Sequence, residues 1–379
     1  MPLRHSLPGF LLIALLPTAS ARIPAPPPHP AAVAVAPAER AAVVAALGRQ
    51  MKANYVFPDV ADKVATALAD NAAHGAYDRD DKTDSFAAAL TRDLSEAGHD
   101  RHLRVNYDPS FKPLPGDGHA PDKQDLQRDE DFVRRMGFGI ARVERLPGNV
   151  GYLDIRNFLS ADLVKGAYAS ALGLLAGTDA LILDLRGNGG GDPEAVATLL
   201  SHFFAAGDRR HLNDMYWRKG KRIQPSWTRP VGEPYYTRPI YVLTSRFTFS
   251  GGEECAYDLK TQKRATLVGE NTGGGANPGE TFPLAHGFVA FIPTGRAVNP
   301  ITHTNWEHVG VVPDVAVPAA DAMKTAYVAI LRALLARSGD EDERTTLHDA
   351  LARTESGELA LPAFTPPHRR PPPQGAAHR

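Results

Sequence analysis

The sequence predicts an α/β protein preceded by a small three-helix domain, and three observations support that reading. Apolar residues recur at helical spacing before Ala97, short apolar runs such as Ala180–Leu185 and Ile240–Leu243 alternate with helical stretches later on, and glycine crowds the turns between them. The 379 residues, 43% of them hydrophobic, suffice for a large core divided between two folded units. A formal charge of −1 argues against nucleic acid as a partner, because a phosphate-binding surface needs a clustered excess of Lys and Arg.

Taken in order, the chain opens with Arg4, the apolar run Phe10–Leu16 and the small residues Ala19-Ser20-Ala21. This pattern predicts a secretory signal over 1–21, too short to span a bilayer, and hence a periplasmic or secreted protein with no membrane anchor once the signal is removed. Residues 22–39 are rich in Pro and Ala and read as a linker. An N-terminal helical domain is expected over 40–107. Its helices are marked by Val43, Leu47 and Met51, by Val60, Val64 and Leu68, and by Phe86, Leu90 and Leu94 after Asp84 as cap. Leu103, Val105 and Tyr107 then alternate like a strand, with His102 at its mouth.

Residues 108–126 read as a second linker, and the α/β unit follows over 127–337. It begins with a helix through Phe132 and Met136, the strands Phe138–Val143 and Val150–Ile155, and a helix over Leu163–Leu175. The strand Ala180–Leu185 opens into Arg186-Gly-Asn-Gly-Gly-Gly191, after which Asp192 and Pro193 supply an N-cap and first helical residue. Further strands are expected at Thr266–Val268, Thr281–Leu284 and Phe288–Ile292, and a helix closes Val317–Leu335. From 338 to 379 the chain is charged and then Pro-rich, which predicts a mostly disordered tail. The single cysteine, Cys255, can form no intrachain disulfide, so packing alone holds the fold.

The chemistry gathers at Ser250. Ile240–Leu243 is a strand, and Gly252, Cys255, Ala256 and Leu259 fall at helical spacing, so the serine sits where strand hands over to helix. Such a turn lifts the hydroxyl above the sheet edge beside unpaired helix N–H groups, which suits a nucleophile with half of an oxyanion hole. The plainer reading is a helix cap. The glycine loop lacks the Lys-Ser/Thr of a P-loop and the spacing of a dinucleotide fingerprint, so a backbone N–H nest for an oxyanion fits it better.

Asp184-Leu-Arg-Gly-Asn-Gly-Gly-Gly191, Phe249-Ser-Gly-Gly-Glu253, Val268-Gly-Glu-Asn-Thr-Gly-Gly274 and Trp306-Glu-His-Val-Gly-Val-Val-Pro-Asp314 together resemble the S41, or tail-specific, serine peptidase superfamily. The helical start followed by Asp100-Arg-His102-Leu is similar to the branch containing the interphotoreceptor retinoid-binding protein repeats. The resemblance implies a crotonase-like ββα core. The interval from His102 to Tyr152 leaves no room for a PDZ domain.

In the processing peptidases of this superfamily the base is a lysine, but the matching stretch here is Gly269-Glu-Asn-Thr-Gly-Gly-Gly275, with Gly275 at the lysine's place. The other arrangement resembles tricorn protease and maps the base to His102 and its acidic partner to Glu307. Histidine suits that task near neutral pH, and a carboxylate fixes its tautomer. His99 rivals His102, His303 and His308 are possible bystanders, and Glu253 and Glu254 read as helix N-terminal charges. A metal centre on His99 and His102 lacks a third ligand in the sequence, so no metal and no cofactor are expected.

The functional expectation is an exported serine peptidase acting on peptide or unfolded protein substrates. Ser250 is the nucleophile, His102 the base, Glu307 the acid, and Gly251 with Gly189 the oxyanion donors. The alternative is a non-catalytic protein that holds a hydrophobic ligand on the same fold.

Overall fold

The structure, a computed structural model, describes residues 32–112 and 123–367. The expected signal, much of the first linker, part of the second and the end of the tail lie outside the described residues. Three helices come first: α1 (Pro37–Asn54), α2 (Pro58–Ala73) and α3 (Thr83–Gly98). Proline occupies the first turn of α1 and α2, where its missing N–H costs nothing. Strand β1 (Arg104–Tyr107) follows, then α4 (Lys123–Arg135) and a hairpin of β2 (Ile140–Leu146) and β3 (Val150–Ile155).

The α/β unit continues with α5 (Ala161–Leu175), β4 (Ala180–Asp184), α6 (Pro193–Ser201), β5 (His211–Trp217), β6 (Arg222–Trp227) and β7 (Ile240–Thr244). It goes on through α7 (Gly251–Thr261), β8 (Ala265–Gly269), β9 (Gly279–Pro283), β10 (Phe288–Pro293), β11 (Gly295–Val298) and β12 (Val315–Ala316), and ends in α8 (Ala319–Arg337) and α9 (Glu341–Ser356).

The central sheet runs β12-β8-β7-β4-β3-β2, parallel except for the antiparallel β2–β3 pair. Alternate residues of β4 explain why both faces are covered. Leu181 and Leu183 pack into a core with Val164, Tyr168 and Leu172 of α5 and Val196 of α6, while Ala180 and Ile182 join Tyr327, Ile330 and Leu331 of α8 on the other side. Among the described residues, no helix is long and apolar enough to cross a membrane.

Two expectations change. The helical start is not a separate unit ending at Tyr107, because β1 pairs antiparallel with β10, and β10 with β9. Phe288 stands edge-on to Phe86 of α3 (ring centres 5.5 Å apart) and to Tyr107 (5.2 Å), and Ala290 and Ile292 lie in the same core as the three helices. The expected disordered tail is also wrong as far as Ser356. Helix α9 is capped by Asp340, whose side chain accepts the Glu343 N–H (2.8 Å), and buries Leu347 and Ala350 beside Leu331 and Leu334 of α8. Farther on, Phe364 lies over the Arg186 guanidinium at 5.1 Å.

Because Phe288 joins the helical core to the sheet that bears β10, Phe288→Ala is expected to cost about 3–5 kcal/mol. Denaturant unfolding followed by both helical circular dichroism and tryptophan fluorescence should still give one coincident transition. Two separated transitions would mean that the helices fold independently.

Candidate active site

Neighbouring parallel strands β4, β7 and β8 each release a loop at their carboxyl ends, and the site forms where the three loops meet, the usual crevice of such sheets. In the first loop, buried Asn188 donates Nδ2 to the Ile155 carbonyl (3.0 Å) and accepts the Gly190 N–H (2.7 Å). Gly190 has φ +94°, and a Cβ there would lie 2.7 Å from Cβ of Ser250, so glycine is required. The second loop is fastened to the first. The Ser245 hydroxyl donates to the Arg186 carbonyl (2.6 Å), the Thr248 hydroxyl to the Leu185 carbonyl (2.7 Å), and the Phe249 N–H to the Asn188 carbonyl (3.1 Å). Held so, Ser250 adopts φ 53° and ψ −122° at the head of α7, a backbone state that non-glycine residues rarely take.

Glu253, fully buried, links this turn to the third loop. Its Oε1 accepts the Thr272 hydroxyl (2.5 Å) and the Gly274 N–H (2.6 Å), and its Oε2 accepts the N–H groups of Gly275 (2.8 Å) and Ser250 (2.9 Å). Burial pushes its pKa up to about 7, against the pull of those donors. The bond to Ser250 is the reach-back half of a capping box, whose Ser-x-x-Glu signature stands in the sequence at 250–253.

His102 is buried with its ring against Phe249 (centres 4.6 Å apart) and Phe291 (6.0 Å), and neither ring nitrogen has a hydrogen-bond partner. A ring nitrogen of His102 and one oxygen each from Asp100 and Glu307 lie within 4.8 Å of one another. Asp100 is already engaged: Oδ1 accepts the His102 backbone N–H (2.9 Å), and Oδ2 accepts from Tyr55 (3.1 Å) and Asn277 (2.8 Å). Glu307 Oε2 accepts the Ala276 N–H (2.5 Å), whereas its buried Oε1 has no hydrogen-bond donor and faces the His308 ring at 3.8 Å. These three side chains are the closest approach to a cation site among the described residues, but the commitments of Asp100 leave too few free ligand atoms.

Burial, then the charge of Arg104, pulls the pKa of His102 down to about 3, and burial, then Asp100, pushes Glu307 up to about 9. Both shifts favour the uncharged form.

Ser250, Gly251, Gly189, Gly191, His102 and Gly275 line one cleft of about 940 Å³, so most residues singled out in the sequence do converge. Gly189 is the exception as a donor, because its N–H is already given to the Arg156 carbonyl (3.0 Å). Among the described residues no acceptor takes the N–H of Gly191 or of Gly251. The two lie together, since a Cβ on Gly251 would sit 3.2 Å from the Gly191 nitrogen. His99 and His303 are exposed, and Lys260 is held at Asp314 (2.8 Å). At Gly275 a Cβ would meet the Phe249 ring at 2.4 Å and His102 Cε1 at 2.7 Å, so a side chain at 275 and the ring of His102 exclude each other. Sequence reasoning missed Asp100, Glu253 and Gly191 in these roles. Asp100 had a signal, the Asp two residues ahead of an N–H that its side chain accepts.

The family model for peptidase family S41 matches residues 149–317, and the model for the N-terminal domain of Peptidase_S41 in eukaryotic IRBP matches residues 32–130. The chain carries a peptidase family S41 domain. That domain is similar to the chloroplastic carboxyl-terminal-processing peptidase 2 of Arabidopsis thaliana, at 29% identity over 47% of this chain and 35% of the relative. It is also similar to the carboxyl-terminal-processing protease of Synechocystis, at 33% identity over 44% of this chain and 38% of that protein. The matched stretch thus spans little more than a third of either relative. The fold is shared with the crystal structure of a candidate peptidase from Parabacteroides merdae, with a TM-score of 0.51 at 18% identity, covering 78% of this chain and 96% of that one.

Two outcomes are expected from this site. Glu253→Gln would turn an amide NH2 toward donors, and should cost about 2–4 kcal/mol in denaturant unfolding. Glu253, Glu254 and Glu307, with pKa values raised to about 7, 8 and 9, hold protons in the folded state that the unfolded chain releases near 4.5. Their contribution is therefore lost as pH rises, while the lowered His102 removes stability only as pH falls from 6.5 toward 3. Tm should fall between pH 6.5 and 9, and Glu307→Gln should make that fall shallower; a Tm that rises over this range contradicts the raised values.

Proposed function

We propose that the chain is an exported serine peptidase in which Ser250 is the nucleophile, His102 the general base and Glu307 its acidic partner. The observation that supports it most is the exchange at position 275. Where the resemblance puts a lysine base, this chain has a glycine, and His102 packs against the space a side chain there would fill. Glu307 is favoured over Asp100 as the partner because its Oε1 is still free to accept a ring N–H, whereas both oxygens of Asp100 are taken. Export is supported by the signal-like N-terminus.

In this reading His102 takes the Ser250 proton as Oγ attacks a peptide carbonyl carbon. The oxyanion so formed accepts from the N–H groups of Gly251 and Gly191. His102 then gives the proton to the leaving amine as the peptide C–N bond breaks, and a water, deprotonated by the same imidazole, hydrolyses the acyl-enzyme. The missing hydrogen bond between His102 and Ser250 is in keeping with a site whose contacts tighten on a bound substrate.

A serine-directed phosphonate should label the protein at Ser250, and Ser250→Ala should abolish labelling and lower turnover of unstructured peptides at least about a thousandfold. His102→Ala and Glu307→Gln should also lose most of the rate, and His99→Ala far less. Absence of cleavage and labelling, together with an apolar ligand bound equally by wild type and Ser250→Ala, would replace the peptidase by the ligand-holding protein.

A further inference from the structure

We propose that Glu254 makes the cleft selective for a lysine or arginine side chain on the substrate residue whose carbonyl Ser250 attacks, an inference that rests on the peptidase reading above. Glu254 lies four residues into the turn that begins at Ser250, and its N–H donates to the Ser250 carbonyl (2.9 Å). Four helical residues rise about 6 Å, comparable to the reach of an extended lysine. The side chain is only 3% exposed, and it lines the same cleft as Ser250 and Gly251.

Its hydrogen bonding is incomplete. Oε1 accepts one long bond from Asn213 Nδ2 (3.3 Å), and among the described residues no donor reaches Oε2. The other acids at this end of the cleft are occupied. Asp192 accepts the N–H groups of Glu194 and Ala161 (both 2.9 Å), and Glu194 is paired with Arg229. Burial, opposed by the Asn213 bond and reinforced by the charges of Asp192 and Glu194, pushes the Glu254 pKa up to about 8.

A buried carboxyl with a free oxygen, crowded by like charge and open to a cleft, is relieved by an incoming cation with N–H donors. The walls suit the stem of such a side chain, since Met215, Trp217 and Trp306 line the same cleft and can cover the methylenes of lysine or arginine. Arg101 and Arg104 also line the cleft and repel a cation, which leaves the carboxyl of Glu254 as its partner.

The test is cleavage of an unfolded protein of mixed composition, with the new termini mapped by mass spectrometry. It is joined to phosphonate labelling of Ser250 by two probes that differ only in a lysyl or a norleucyl side chain. Cleavage should be enriched after Lys and Arg, and the lysyl probe should react about 10- to 100-fold faster. Glu254→Gln, with folding checked by its melting transition, should reduce that ratio at least about tenfold. If the variant does not fold, the wild-type pattern alone decides. Cleavage after apolar residues, with the norleucyl probe as fast as the lysyl one, overturns the subsite and leaves the peptidase standing. No cleavage with neither probe attached removes the peptidase reading, and this subsite with it.

Discussion

The site depends on one buried carboxyl. Glu253 takes four donors from two loops, and without it the N–H groups of Ser250, Gly274 and Gly275 would be left buried and unpaired. The order it imposes is passed on. The Gly275 carbonyl accepts the Trp306 indole N–H (2.7 Å), the Gly274 carbonyl accepts the His308 N–H (3.1 Å), and the Ala276 N–H reaches Glu307. The Ser250 turn and the Glu307 carboxyl next to His102 are thus positioned by one hydrogen-bonded chain. Most of its bonds are to backbone, which explains how residues 270–276 can be held without regular secondary structure.

Much of the fold was legible because local pattern and tertiary role agree. The strands at 150–155, 180–184 and 240–244 are buried runs that look alike in sequence and structure, and the strand–serine–glycine–helix junction at 250 announces a serine at the head of a helix. Long-range pairing was not legible. Nothing near Arg104 indicates that β1 pairs with β10, so the helical start was read as a unit of its own. The hairpin β5–β6, which supplies Met215 and Trp217 to the cleft, was missed because Asn213, Asp214, Gln224 and Pro225 interrupt its alternation. Helix α9 was hidden for a related reason, since it buries only Leu347, Ala350 and Thr354 among charged residues and its period is drowned by them.

Within the site, residue types were easier to read than assignments. Ser250, His102 and Glu307 came from motif positions; Ser250 and His102 line one cleft, and Glu307 approaches His102. The choice among glycines could not be made from sequence, because it turns on which N–H is already spent. Gly189 and Gly191 differ in that respect only after the loop closes on Arg156. Asp100 shows the converse. Its side chain holds the His102 backbone and meets Tyr55 and Asn277 across the chain, a scaffolding duty that no local spacing reveals.

Apolar packing, more than hydrogen bonding, holds the His102 ring. His102 is gripped by Phe249 and Phe291, and Phe249 is the residue before Ser250, so the imidazole and the Ser250 turn share a neighbour. The absent side chain of Gly275 is what lets these two rings meet. Burial, then Arg104, favours the uncharged imidazole of His102, and burial, then Asp100, favours the uncharged carboxyl of Glu307. In the proposed reaction a proton passing from Ser250 to His102 would create imidazolium and oxyanion together, leaving the net charge of the cleft unchanged. In that reaction the protein would supply N–H donors at the oxyanion and a carboxyl oxygen beside the imidazolium. The same burial that lowers the basicity of His102 strengthens both interactions once they form, because each acts in a medium of low dielectric constant.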